Sequence, residues 1–190
     1  VSLRVSTQDM AQAEAQANAR LALLLAIGEL QKQLGPDKRI SARAEILDEK
    51  ASSSEVDGVA NPHYLGVWDS WDTWLTDQKG RLSIGDTYKR GRDPSLFRSW
   101  LVSHPEAGKY ETALSDTPTE DAVVLCGEGS AGPDTANHVK VRRVPVRNGT
   151  RVTGNYAWWI DDESQKARLD LKARADAGTV GFVVVCASAV

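Results

Sequence analysis

Residues 8–34 of the chain read QDMAQAEAQANARLALLLAIGELQKQL. Alanine, leucine and glutamine dominate this stretch, which has no proline and a single glycine, so it predicts a helix roughly 40 Å long. Ser6 or Thr7 can cap the start of this helix. Gly35-Pro36 can end it, because glycine supplies a left-handed exit and proline forbids another turn. The chain therefore opens with a long helix that has a signal at each end.

The predicted helix carries two stripes of side chains, each with spacings of three and four residues. One stripe consists of small residues, which permit close approach of a second helix, and we assign it to assembly with other helices. The other stripe, in the second half of the helix, is bulky, and we assign it to packing on the body. The alternative is an ordinary helix that lies on its own domain. The small residues are Ala11, Ala15, Ala19, Ala22 and Ala26, of which the last four form the assembly face, and the bulky residues are Leu23, Ile27, Leu30 and Leu34.

The segment that follows the helix predicts little regular structure at first. Serine, aspartate, glycine and proline recur between Gly35 and Pro62, which indicates a loop-rich crossing. Farther along, residues 93–102 predict a short helix, because Asp93 can cap it and Pro94 suits its first position.

Three tryptophans, Trp68, Trp71 and Trp74, are spaced three residues apart. In a helix they would share one face, whereas in a strand they would not. Asp69 and Asp72 stand between them, and aromatic faces together with carboxylates suit the hydroxyl groups of a sugar. The cluster therefore indicates either a carbohydrate-binding surface or part of a hydrophobic core.

The second half of the chain predicts β structure. Asn148-Gly149 predicts a hairpin with a type I′ turn, whose two central residues need positive φ, and residues 127–133 predict a flexible loop. The fold class is therefore α+β, with a helical spine over residues 1–35 packed on a mostly antiparallel sheet in a body over residues 36–190. The valine-rich runs that predict strands are Ala122–Cys126, Val139–Val146, Arg151–Ile160 and Val180–Ala187.

Length and charge narrow the class of protein. The 190 residues suffice for one ordinary domain, and the hydrophobic and charged shares, 41% and 26%, are typical of a folded protein. The net charge of −3 gives no strong overall field to attract nucleic acid, so we expect no nucleic-acid partner. No apolar run of about 18 residues is present to span a membrane.

Few residues stand in patterns that carry chemistry. His63, His104 and His138 lie in loop-like sequence without metal-ligand spacing, and we expect them at the surface. Nucleotide-binding and nucleophile-elbow motifs are absent from the sequence. Cys126 and Cys186 each end an apolar run, so they are either buried small residues or one disulfide. We therefore expect no enzyme, no cofactor and no metal.

One carboxylate cluster, Asp161-Asp162-Glu163, follows the apolar residues Trp158-Trp159-Ile160. Such a cluster at a strand end can bind calcium or supply an acid/base pair for hydrolysis. The alternating oxygen ligands and the glycine of a calcium loop are absent, and no partner acid is placed by the sequence. A solvated turn is the favoured interpretation.

Two segments together resemble a known family. Residues 12–31 resemble the early helix of pilus-assembly proteins related to minor pilins and to the large minor pseudopilin of type II secretion. In particular they resemble the verrucomicrobial group called cassette protein A. Residues 154–171, which read GNYAWWIDDESQKARLDL, are similar to the aromatic strand, acidic turn and lysine-containing strand of that group.

The resemblance implies a pilin-like fold, in which an N-terminal helical spine packs on an antiparallel sheet. It implies a non-enzymatic subunit of a type IV pilus or a type II secretion-like assembly, whose partners are other pilin-like subunits. It also implies a hydrophobic membrane segment before Val1, a longer body at the C-terminal end, and a place in the cell envelope. An extracytoplasmic body would favour a Cys126–Cys186 disulfide. The alternative function is an extracytoplasmic carbohydrate- or surface-binding module that uses Trp68, Trp71 and Trp74.

Overall fold

The structure, a computed structural model, describes six segments of the chain, with side chains in all of them except 2–6 and 182–187. These segments are residues 2–36, 39–50, 56–69, 94–115, 121–162 and 182–187. Three α-helices lie in them: α1 Ser2–Leu34, α2 Thr112–Ser115 and α3 Glu128–Ala131. The strands are β1 Arg39–Arg43, β2 Leu65–Asp69, β3 Phe97–Trp100, β4 Ala122–Cys126, β5 Val139–Arg142, β6 Val144–Asn148, β7 Arg151–Asp162 and β8 Phe182–Ala187. The chain is thus an α+β protein with an N-terminal helix and antiparallel sheets.

The long helix α1 is present, and it ends where the sequence predicts. The capping prediction was wrong, because Ser6 and Thr7 both lie inside a helix of 33 residues. The left-handed exit was also wrong, since Gly35 is not among the glycines with positive φ. Gly35 instead donates its N–H to the Gln31 carbonyl oxygen at 2.9 Å, and a Cβ at Gly35 would overlap that oxygen. A close backbone approach thus explains the glycine at this position.

The strands form three ladders, in the orders β1-β2-β3, β4-β5 and β6-β7-β8. The segment after β3 links the first ladder to the third. Leu101 donates its N–H to the Leu65 carbonyl at 2.7 Å and accepts the N–H of Ile160 at 3.0 Å, while Val102 forms a bridge with Trp159. Strand β7 therefore lies at the centre of the molecule, between β8 and the segment that follows β3.

Alternation along β7 separates the core into two clusters. Ala157 and Trp159 point into a cluster that contains Val139 and Val141 of β5, whereas Trp158 and Ile160 point into a cluster that contains Ala22 and Ala26 of α1. Successive side chains of a strand point to opposite faces of the sheet. The body is thus layered, with α1 on one face of the central strands and β5 on the other.

Trp68 belongs to the core, which is the second of the two interpretations left open for the tryptophans, and it forms no part of a ligand surface. It is 5% exposed in β2, and its ring lies 5.5 Å from that of Phe97 and 5.6 Å from that of Trp100. Gly66 makes room for this packing, because a Cβ there would come within 2.8 Å of Trp100 Cζ3. Trp71 and Trp74 lie outside the described residues.

Three further predictions of local structure need correction. The helix predicted over residues 93–102 is a short 3₁₀ turn followed by strand β3, and the loop-rich crossing contains strand β1 and a 3₁₀ turn. The flexible loop predicted over residues 127–133 contains the single turn of α3. In the first two cases hydrogen bonds to distant parts of the chain override the local pattern.

The hairpin between β6 and β7 is confirmed, but its turn differs from the prediction. Asn148 pairs with Arg151, so the central residues are Gly149 and Thr150, and among the turn residues only Gly149 has positive φ, at 62°. A positive φ at the first central residue alone is the type II′ pattern, in which glycine fits best. The predicted strand over residues 139–146 is divided at Arg143 into β5 and β6.

Candidate functional site

The inner face of α1 is made of its smallest side chains. Ala22 and Ala26 are fully buried in the cluster that α1 forms with β2, β7 and Leu101. Leu30 and Leu34 are partly buried and pack against the same cluster. Small side chains let the helix axis lie close to the sheet, so the aromatic Trp158 fills the remaining space.

This arrangement corrects the assignment of the two stripes. Ala22 and Ala26 face the body of the chain itself, so they cannot contact another subunit, and Ala15 and Ala19 are half-buried. Leu23 and Ile27, expected to hold the spine to the body, are 41% and 37% exposed. Leu30 and Leu34 lie on the body side, where the sequence places them. In the middle of the helix, therefore, the small residues are buried on the body and the bulky residues are exposed.

The outer face of α1 is apolar and exposed, and we call it the outer leucine face. Leu24 is 68% exposed, which makes it the most exposed leucine of this face. No charged residue interrupts the helix between Arg20 and Glu29. A helix that is apolar on all sides is typically covered on all sides. The outer leucine face consists of Leu21, Leu23, Leu24, Leu25 and Ile27.

One close contact between α1 and β7 joins two small groups. Asn18 is buried, and its side-chain amide lies where a Cβ of Gly154 would stand. A side chain at residue 154 would therefore force the Asn18 amide, and with it the local packing of the helix, to shift. The sequence shows Gly154 inside a strand pattern, which is a signal of close backbone approach.

The C-terminal end of α1 is held by Arg39, the first residue of β1. Its guanidinium donates to the carbonyl oxygens of Lys32 at 3.1 Å and Gln33 at 2.7 Å, both of which lack helical partners. The same side chain lies 3.5 Å from the Asp69 carboxylate, which is also paired with Arg98. Hydrogen bonding from Arg98, together with the charges of Arg98 and Arg39, lowers the pKa of Asp69. Opposite charges thus tie the helix end to β2.

A cleft of about 500 Å³ lies beside the last turns of α1. Its walls include Glu29 of the helix, Arg98 of β3, and Tyr156 and Trp158 of β7. Burial raises the pKa of the Tyr156 phenol. The Glu29 carboxylate already accepts a hydrogen bond from Gln33 at 2.7 Å. The acidic group in this cleft therefore helps to stabilise the helix.

Asp161, the first residue of the carboxylate cluster after Trp158-Trp159-Ile160, has a structural role. Asp161 is 1% exposed, and its two oxygens accept from Arg43 Nε at 3.0 Å and Arg43 Nη2 at 2.7 Å. The backbone N–H of Asp162 donates to the same carboxylate at 2.9 Å. A carboxylate held in this way is ill-suited to act as a general acid or base, and Glu163 lies outside the described residues.

The three histidines are half-buried, so each lies partly at the surface. His63 and His138 bond through Nε2 to backbone carbonyl oxygens, of Ala136 at 3.2 Å and Gly132 at 2.9 Å. His104 accepts the Glu106 N–H at 3.0 Å through Nδ1. Within the part of the chain that the structure describes, no three metal-ligating side chains converge.

Cys126 is half-buried in β4, and Cys186 lies in β8, whose side chains are outside the described part. The disulfide between them therefore stays a prediction. Sequence reasoning missed Leu21, Leu24 and Leu25, although an uninterrupted apolar run around the whole helix was a usable signal for a second covered face.

Comparison with known proteins adds no assignment. No protein-family model matches the chain, and no curated protein or solved structure matches it significantly. Among the helices that the structure describes, none has the length and apolar character that crossing a bilayer requires.

Proposed function

We propose that the chain is a non-enzymatic, minor pilin-like or pseudopilin-like subunit of a type IV pilus or a type II secretion-like assembly. It packs against other pilin-like subunits through α1. The proposal includes a body in the cell envelope, outside the cytoplasm, and anchoring in the inner membrane by a hydrophobic segment upstream of Val1. The resemblance of residues 12–31 and 154–171 to that family motivates it.

The outer leucine face is the observation that carries this proposal. Its five large apolar side chains are all exposed, while the opposite face of the same helix turns is fully buried on the body. Burying a leucine completely contributes about 1.5–3 kcal/mol, so covering Leu24, now 68% exposed, contributes about 1–2 kcal/mol. A second helix laid along this face would gain that free energy several times over.

The alternative binding module gains less support. Its platform requires three tryptophans at the surface, and Trp68 is instead packed between Phe97 and Trp100. The hydrogen bonds between Asp161 and Arg43 likewise favour a structural role for the Asp161 carboxylate. Assembly through α1 is therefore the better supported function.

The test replaces Leu21 and Leu24 together by glutamine in the full protein, in the cells that produce it. We expect the share of the protein recovered with sheared surface filaments, measured by immunoblot, to fall at least about tenfold, because about 1.4 kcal/mol of lost contact free energy is one factor of ten. The melting temperature of the soluble chain should change by less than about 2 °C, since both side chains are exposed.

The matched control replaces Ile40 and Ile46, which are exposed on the body and do not belong to the outer leucine face. Their double glutamine variant should enter filaments like the wild type. Equal incorporation of the Leu21/Leu24 variant, or a wild-type protein that never fractionates with filaments or with a secretion complex, would contradict the proposal.

A further inference from the structure

The tip of the hairpin between β6 and β7 carries a chemically reactive pair, Asn148-Gly149. The side-chain amide of an asparagine can be attacked by the main-chain nitrogen of the next residue, because this closes an unstrained five-membered ring. Glycine as the next residue leaves that nitrogen uncrowded, since glycine has no Cβ. The sequence contains five asparagines, and Asn148 is the one that glycine follows.

The structure leaves both reacting groups accessible. Asn148, Gly149 and Thr150 are all exposed, and a Cβ at Gly149 would meet nothing within 4 Å. Neither the Asn148 side-chain amide nor the Gly149 N–H forms a hydrogen bond with another residue that the structure describes. The attacked carbon and the attacking nitrogen are therefore both open to solvent.

The place of Asn148 in the ladder allows the two groups to meet. Asn148 and Arg151 form the last pair of the β6–β7 ladder before the turn. The backbone at an exposed turn opens locally at a small cost in free energy. The Asn148 amide can thus rotate towards the Gly149 nitrogen while the body of the protein stays folded.

The other four asparagines lack this combination of features. Asn18 and Asn61 are both 8% exposed. Asn137 is exposed, but the nitrogen beside it belongs to His138, whose N–H donates to a carbonyl oxygen of the preceding 3₁₀ turn at 3.2 Å. Asn155 is half-buried inside β7. Burial, hydrogen bonding or strand pairing therefore protects each of these four side chains.

We propose that Asn148 is a self-modifying site, at which the folded protein loses a side-chain amide. The Gly149 nitrogen forms a bond to Asn148 Cγ, the bond between Cγ and Nδ2 breaks, and ammonia leaves with the proton of the Gly149 N–H. Water then opens the succinimide ring at either of its carbonyl carbons, which gives aspartate or isoaspartate at residue 148. Water is the co-reactant, and the step needs no enzyme.

The two products affect the hairpin differently. Aspartate leaves the main chain unchanged and places a carboxylate opposite Arg151, where a cross-strand ion pair is favourable. Isoaspartate routes the main chain through Cβ and Cγ, which adds one carbon atom to it. Strand pairing requires evenly spaced residues, so isoaspartate breaks the last pair of the ladder. Modified hairpins therefore accumulate as the protein ages.

The test incubates the complete, purified chain at mildly alkaline pH and follows the fragments that cleavage after lysine releases by mass spectrometry. The fragment of residues 141–166 contains both Asn148 and Asn155, so its sequence ions assign the modified residue. We expect first-order conversion of Asn148 to both products, at least about tenfold faster than conversion of Asn137 or Asn155. The rate should rise with pH, because the deprotonated nitrogen is the attacking species.

A variant and a matched control test the role of the ring. Asn148→Gln keeps the amide and Gly149, but its longer side chain must close a six-membered ring, and conversion should slow at least about tenfold. Thr150→Ala alters the neighbouring turn residue and leaves the reacting pair intact, so its rate should stay within about twofold of the wild type.

Three outcomes would overturn the inference. They are conversion of Asn148 no faster than that of Asn137, conversion that occurs only after denaturation in urea, and equal rates in the wild type and the Asn148→Gln variant. The measurement uses the isolated chain, so its result does not depend on filament assembly.

Discussion

At the scale of single residues, Gly154 decides how closely α1 can approach β7. Any side chain at residue 154 would occupy the volume of the Asn18 amide. Gly154→Ala should therefore lower the free energy of unfolding by about 1–3 kcal/mol, the usual cost of overpacking. Urea denaturation followed by tryptophan fluorescence measures this, with the gain in strand propensity acting in the opposite direction.

Two comparisons make that prediction specific. Gly129→Ala adds the same methyl group at a glycine with nothing within 4 Å, and it should not destabilise the protein. Asn18→Ala combined with Gly154→Ala removes the overlapping amide, and it should recover part of the lost stability. Equal stability of the Gly154→Ala and Gly129→Ala variants would show that the close approach is unimportant.

At the scale of elements, the end of α1 depends on the charge of Asp69. The paired arginines lower the pKa of this carboxyl below its ordinary value of 3.8, so the charged form is the one that favours folding. Its contribution to stability is complete above the unfolded-state pKa and is lost as the pH falls through the lower, folded-state pKa.

Asp69→Asn should therefore destabilise the protein near pH 7 and reduce the further loss of stability between about pH 4 and about pH 2. Urea denaturation of both proteins across this range measures the difference. Asp57→Asn removes an exposed partner of Lys50 and is the control, with little expected effect. Parallel pH curves for Asp69→Asn and the wild type would rule out the Asp69 contribution.

Several elements could be predicted from the sequence because local signals and tertiary contacts agree there. The composition of α1 favours helix wherever it packs, and the valine-rich β4 and the glycine turn before β7 are strong local signals. Strand β3 could not be predicted in this way. Its apolar residues also fit a helical face, and only pairing with β2, which is distant in sequence, selects the strand.

The inner and outer faces of α1 could not be told apart by size alone. The expectation that large apolar side chains face the core assumes an ordinary distance between the helix axis and the sheet. The Asn18 amide lies against Gly154, and in the next two turns alanine faces the body while leucine remains outside. The information lies in a glycine more than a hundred residues away, which the helix sequence does not contain.

At the scale of the whole molecule, the ion pair of Arg43 and Asp161 connects β1 to the far end of β7. Arg43→Ala removes the guanidinium that pairs with the buried carboxylate, and should lower the free energy of unfolding by about 3 kcal/mol. For a chain of this size the melting temperature should then fall by about 6–12 °C. Differential scanning calorimetry measures this change.

Replacing both Arg43 and Asp161 distinguishes the cost of an uncompensated charge from the cost of lost packing. Arg43→Met with Asp161→Leu leaves no unpaired charge, and should be clearly more stable than Arg43→Ala. If the double variant is no more stable than Arg43→Ala, then packing around the two residues, and not the unpaired carboxylate, accounts for the loss.

The close contact between Asn18 and Gly154 also affects how the protein responds to a mechanical force on α1. A displacement of α1 along its axis by one residue, about 1.5 Å, would move the Asn18 amide off the space that Gly154 leaves beside it. A pulling force along the helix axis is therefore resisted by the steric contact of the Asn18 amide with the strand, in addition to the apolar packing. Such a force would pass into β7, the longest of the described strands, and through its ladders into β6 and β8.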